Sequence, residues 1–95
     1  MRSIVHEYWD RDENACYLCG KNRNAGRERH HVFGAANRSL SEADGLWVYL
    51  CSDCHRKAHS DPVRRGQLHY EAREAYLAHH TLEEFRERYG RSYEA

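Results

Sequence analysis

The sequence predicts an α+β fold: a short two-stranded element and a following helix, with a pair of helices at the C-terminal end. Three observations predict it. Leu46-Trp47-Val48-Tyr49-Leu50 alternates apolar residues as a half-buried strand does. The last third repeats apolar side chains at helical spacing. Two Cys-x-x-Cys pairs, Cys16/Cys19 and Cys51/Cys54, bracket the strand region and use all four cysteines of the chain. A 95-residue chain buries only about 60–65% of its unfolded surface. With 40% hydrophobic and 32% charged residues the core is thin, so a staple is expected, and the paired thiols point to metal.

Taken in order, residues 1–15 are polar and acidic with Tyr8 and Trp9 interspersed, and read as a short helix or an arm. Residues 16–29 read as a knuckle and a basic loop, Gly20 allowing the tight turn behind the thiols. Arg29 to Phe33 reads as a strand ended by Gly34, and residues 34–45 as a loop with a helical turn near Ser41. In the strand 46–50, Leu46, Val48 and Leu50 share one face, and Trp47 and Tyr49 the other. A helix follows from Ser52 or Asp53, both good N-caps, carries His55 and His59, and is closed by Pro62. Leu68, Ala72, Ala75 or Tyr76, and His79 then mark a further helix. The last begins after Thr81, whose partner Glu84 completes a capping box; Leu82, Phe85 and Tyr89 line its inner face, and Gly90 stops it. The expectation is a single domain over 1–95, with residues 16–60 as the metal-bound core and 63–95 as helices packed on it.

The cysteine spacing is the strongest chemical signal. Two Cys-x-x-Cys turns put four thiolates around one ion, which closes a structural zinc site of tetrahedral type. Thirty-one residues separate the pairs, so an extra element is inserted between them. A redox reading would need a thioredoxin-like βαβ pattern, which the sequence lacks. No apolar run approaches the roughly 20 residues of a membrane span, and no secretory apolar stretch follows Met1. The expected location is therefore a reducing cytoplasm, without membrane association, where paired thiols favour metal over disulfide.

Histidine supplies the second signal. His55 and His59 stand four apart on one helical face, so both rings can reach one cation. His30 and His31 are adjacent on a strand and point to opposite faces, so both serve one centre only if the strand ends or twists there, as Gly34 allows. His6, His69, His79 and His80 have no such partners and read as structural or surface residues.

Net charge is zero, which argues against a generic basic DNA binder. The distribution is uneven. Residues 1–20 have a balance of −2, whereas Lys21, Arg23, Arg27, Arg29 and Arg38 against Glu28 alone give 21–38 a balance of +4. That basic stretch runs into the histidine pair, where a phosphate backbone would lie, and a solvated loop is the equal alternative for the charge alone.

Arg29-His30-His31-Val32-Phe33, a loop with Asn37, the strand 46–50, and Cys51-Ser-Asp-Cys54-His55-Arg-Lys-Ala-His59 together resemble an HNH endonuclease of the His-Me finger superfamily. More narrowly, they resemble the small zinc-ribbon HNH nicking enzymes of phages and prophages. The resemblance covers residues 16–60.

It implies a ββα-metal motif nested in a four-cysteine zinc ribbon, a phage or prophage origin, and a metal-dependent endonuclease acting on double-stranded DNA. In those terms His31 is the general base, and His30, His55 and His59 hold a catalytic divalent cation, with His55 counted among the catalytic residues. Asn37 is the nearest candidate for the asparagine that orients the base, with Asp44 or backbone carbonyls as alternatives. Mg²⁺ or Mn²⁺ is expected by analogy, with Zn²⁺ or Ni²⁺ compatible with imidazole. Arg29, Arg38, Arg56 and Lys57 beside the motif, and Lys21, Arg23 and Arg27 in the loop, are the expected phosphate contacts. One such active site cuts one strand, so a monomer or weak dimer would nick. A histidine of ordinary pKa near 6.5 is a workable base at neutral pH. Two rivals stand beside this: a zinc-stabilised nucleic-acid-binding module without catalysis, and a phage accessory protein whose HNH site has decayed.

Overall fold

In the computed structural model, which describes residues 2–21 and 26–93, five helices surround one two-stranded sheet. Helix α1 spans Ile4–Tyr8, strand β1 Glu28–His31, helix α2 Arg38–Asp44 and strand β2 Trp47–Leu50. Helices α3 (Ser52–Ser60), α4 (Pro62–Leu77) and α5 (Leu82–Tyr89) follow. A 3-10 turn at Ala35–Asn37 leads into α2. The mixed fold agrees with the sequence. No helix among the described residues is long and apolar enough to cross a membrane.

The strands pair antiparallel, with Glu28 opposite Leu50, Arg29 opposite Tyr49, His30 opposite Val48 and His31 opposite Trp47. β1 starts one residue earlier than expected and stops at His31. Val32 still donates its amide to the Leu46 carbonyl (3.1 Å), and Val32 and Phe33 turn into the core. Leu46, Val48 and Leu50 are fully buried, as their alternation requires.

Trp47 departs from the expected two-faced strand, for it too is buried. Its ring lies against the Arg29 guanidinium (3.8 Å) and the Tyr49 ring (5.1 Å), while the N-terminal segment docks on its backbone. Ser3 caps α1 by accepting from the His6 amide (3.2 Å), its hydroxyl also donates to the Trp47 carbonyl, and Ile4 N–H donates to the Gly45 carbonyl (3.0 Å). The acidic arm of the sequence is thus a docked helix. Gly45 makes that docking feasible: its φ is +72°, and a Cβ there would lie 2.6 Å from the Arg2 carbonyl oxygen.

Residues 38–44 form a full helix where a loop with one helical turn was expected. The local signal is weak because Asn37 makes no side-chain cap bond. Tertiary contacts supply the rest: buried Ser41 donates to the Leu46 carbonyl (2.5 Å) and accepts from the Phe33 amide (3.3 Å).

Pro62 does more than end α3. It occupies the first turn of α4, where its missing N–H costs nothing, and Asp61 caps that helix through the Val63 amide (3.0 Å). The Thr81–Glu84 capping box opens α5 as expected, and Gly90 ends it at φ +85°. Leu68, Ala72 and Tyr76 of α4 pack with Phe85 and Tyr89 of α5 around Phe33, whose ring lies 4.8 Å from that of Tyr89. The helical pair is thereby fixed to the end of β1.

Candidate metal centre and adjoining cavity

Four cysteines from two turns converge. The Sγ atoms of Cys16, Cys19, Cys51 and Cys54 all lie within 4.8 Å of one another, and none is in a disulfide. The first turn is closed by Gly20 N–H donating to the Cys16 carbonyl (2.9 Å), with Gly20 at φ +79°. The second runs from the end of β2 into α3, where His55 N–H donates to the Cys51 carbonyl (2.8 Å). A tetrahedron with arms of about 2.3 Å has edges of about 3.8 Å. The Cys19–Cys51 sulfur separation is 3.7 Å.

The electrostatics fit a cation. Burial opposes ionisation of Cys16, but the amides around it, those of Cys19 and Cys51 foremost, hold its thiol down at about 7. Burial, with the other three thiols beside it, pushes Cys54 up instead. Four crowded sulfurs cannot all ionise unaided, and a divalent ion removes that conflict. These residues could hold a structural metal such as zinc.

A second cluster lies on the other side of α3's first turns. One ring nitrogen from each of His30, His55 and His59 falls within a 4.8 Å group. The His30 ring sits edge-on to both others, with centroids at 5.1 and 5.2 Å. His30 is buried, and burial followed by the neighbouring imidazoles lowers its pKa to about 3. It is therefore neutral at ordinary pH, with a lone pair to offer. The Glu28 carboxylate accepts from His55 Nδ1 (2.7 Å), which leaves His55 Nε2 as the nitrogen free for coordination.

His31 stands apart from this trio but shares its cavity. About 290 Å³ of space is lined by Arg29, His30, His31, Gly34, Ala35, Arg38, His55 and His59, with no carboxylate among them. His31 Nε2 lies 2.7 Å from Glu42 Oε1. Glu42 in turn receives Arg29 Nη1 at 2.9 and 3.1 Å, and Arg29 also donates to the Tyr49 hydroxyl (3.2 Å) while lying 3.8 Å over the Trp47 ring. The His31 contact, then the Arg29 contact, hold the Glu42 carboxyl below its usual pKa.

No protein-family model, no curated protein and no solved structure matches this chain.

The expected phosphate contacts divide. Arg29 and Arg38 line the cavity, but Arg29 is committed to Glu42 and Tyr49. Arg38 is exposed and makes no side-chain hydrogen bond or ion pair among the described residues. Arg27 lies 3.8 Å over the Tyr49 ring. Lys21 and Arg56 both pair with Asp53, and Lys57 is exposed on α3. None of these four lines the cavity. Arg23 lies outside the described residues.

Asn37 stands at the start of α2, away from the histidines. It is not among the residues lining the cavity, and its amide donates to the Tyr89 carbonyl (3.1 Å), tying α5 to the 3-10 turn. Asp44 is likewise spent on α5, accepting from Arg88 Nε (2.5 Å) and the Tyr89 hydroxyl (2.6 Å). The side chain that meets His31 is Glu42. Sequence reasoning missed Glu42 because its helix read as a loop. Glu28 was legible in principle, since it stands two positions before His30 and so shares its face.

Of the other four histidines, His79 is exposed and three pack against the fold. His6 is buried between α1 and β2, accepting from the Tyr49 amide (3.0 Å), and His69 stacks on Phe33 at 5.3 Å. His80 stacks on Tyr76 at 4.0 Å.

Proposed function

We propose that this chain is a metal-dependent DNA endonuclease of the HNH type that nicks one strand of a duplex. One observation carries the reading. Three clustered imidazoles, one of them strongly held neutral, share a carboxylate-free cavity with a fourth histidine and an uncommitted arginine. That combination suits a phosphodiester, which needs a base for water and positive charge for the phosphate.

His30, His55 and His59 would hold a divalent cation, which when bound supplies polarisation of a phosphoryl oxygen and charge stabilisation at the departing oxygen. His31 acts as general base, taking one proton from a water molecule. The water oxygen bonds to phosphorus as the P–O3′ bond breaks, and the departing oxygen gains a proton from solvent. The products are a 5′-phosphate and a 3′-hydroxyl. Arg38 neutralises the phosphate, and the four-cysteine zinc site holds α3 against the strand. An all-imidazole donor set suits Zn²⁺ or Ni²⁺ best, while Mn²⁺ and Mg²⁺ would rely on water and phosphate oxygens to complete their shells.

One observation favours the decayed-site alternative: the engagement of Asn37 with Tyr89 rather than with the histidines. Supercoiled plasmid incubated with the protein and Mn²⁺, Mg²⁺ or a chelator separates the readings. The proposal expects metal-dependent open-circular product. Binding of plasmid with no strand scission under any divalent ion would leave only the binding-module or decayed-site reading.

A further inference from the structure

We infer that Glu42 is a positioning residue that fixes which nitrogen of His31 does chemistry, an inference that rests on the endonuclease reading for its catalytic consequence but not for its geometry. The Glu42 carboxylate lies 2.7 Å from His31 Nε2. A carboxylate only accepts, so Nε2 carries the hydrogen and Nδ1 keeps the lone pair. On the opposite side of β1, Glu28 does the reverse to His55 by engaging Nδ1 and leaving Nε2 bare. Two glutamates thus assign opposite tautomers to two histidines that line one cavity. One ring offers Nε2 for coordination. The other offers Nδ1 as the only nitrogen able to take a proton.

Glu42 is suited to this because it is itself held. Arg29 grips both of its oxygens, and Arg29 is locked by the Tyr49 hydroxyl and the Trp47 ring. The chain of contacts runs from the outer face of the sheet through Arg29 and Glu42 to His31. As water's proton arrives at His31 Nδ1, the imidazolium forms beside a carboxylate already in place. Arg29 and His31 occupy the same face of β1, two residues apart, so one carboxylate from α2 reaches both. This gives Arg29 a task different from direct phosphate contact.

The decisive experiment uses the full zinc-loaded chain, its Glu42→Gln and Glu42→Leu variants, and two independent readouts. Long-range ¹H–¹⁵N spectra of the imidazoles report the tautomer without any reaction. The expectation is Nε2–H at His31 in the wild type, retained in Glu42→Gln, whose amide oxygen still accepts, and lost to a mixture in Glu42→Leu. Single-turnover nicking at saturating DNA and Mn²⁺ should fall about tenfold in Glu42→Gln and at least a hundredfold in Glu42→Leu. The Mn²⁺ concentration for half-maximal rate should stay at the wild-type value, which a merely unfolded site would not do. An Nδ1–H tautomer at His31 in the wild type, or equal nicking rates for all three proteins, overturns the inference. If even the wild type fails to nick, the endonuclease reading falls, while the tautomer spectra still decide the role of Glu42.

Discussion

His30 and His31 are consecutive on β1 yet serve opposite sides of the sheet: His30 packs against the rings of His55 and His59, and His31 reaches Glu42. Both still line one cavity because the strand ends at His31 and the chain turns at Gly34, also in its lining. The sheet therefore sends two chemically identical side chains to different partners, one among imidazoles and the other against a carboxylate.

His31→Ala should separate those roles. The trio is untouched, so the protein should keep its fold and its affinity for Mn²⁺, while the nicking rate should drop about a hundred- to ten-thousandfold. Calorimetric titration of the metal alongside a plasmid assay checks both halves. Wild-type cleavage by this variant excludes His31 as the base.

The thiol site is predicted to be part of the folding free energy. Cys16 and Cys54 are both buried, and the sheet end, the knuckle and α3 meet at their sulfurs. Cys54→Ser should lose bound zinc and much of the cooperative thermal transition, because structural zinc contributes on the order of 10 kcal/mol of apparent binding energy to small domains. Zinc content measured by atomic spectroscopy, with a thermal melt by circular dichroism, tests this. A variant that melts as the wild type does would show that the four thiols hold nothing structural.

The thiol and imidazole clusters were legible because short fixed spacings encode them: an offset of three positions within each cysteine pair and of four from His55 to His59. Alternation in β2 and the Thr81–Glu84 box were legible for the same reason, each being a local pattern. Glu42 was not. Its helix has no side-chain cap and is held by Ser41 bridging Phe33 and Leu46, contacts that exist only once the chain has folded. Trp47 was misjudged on similar grounds, since the Arg29 guanidinium meets its ring only once the two strands have paired. Side chains that contact other side chains across the fold leave little periodic trace, so the clustered thiols and imidazoles are easier to read than the carboxylates beside them.

Asn37 is predicted to matter for stability. Its amide is half-buried and holds the last turn of α5 through the Tyr89 carbonyl. Asn37→Ala should cost about 1 kcal/mol, which lowers the melting temperature of a domain this size by roughly 4–8 °C. Zinc content should be unaffected. A sharp loss of nicking with an unchanged melting temperature would return Asn37 to the catalytic role that the resemblance implied.

Acid should weaken the fold through His6. The ring is buried, with Nε2 accepting from the Tyr49 amide and Nδ1 facing the Arg11 carbonyl at 3.2 Å, so the neutral Nδ1–H form satisfies both. Burial lowers its pKa below the ordinary 6.5, and the Arg11 carbonyl only partly offsets this. Below about pH 6.5 the unfolded chain therefore binds a proton that the folded chain refuses, so stability falls as pH falls through that value and the penalty is absent above it. His69, also held low by burial, adds its own acid sensitivity. Isolating the share of His6 requires a variant that keeps both hydrogen bonds without titrating, and His6→Gln does so: its amide donates to Arg11 and accepts from Tyr49. Urea midpoints in excess zinc should then drop less steeply for His6→Gln than for the wild type as pH is lowered from 7. Parallel curves would mean that the buried imidazole accepts its proton as readily in the folded state as in the unfolded one.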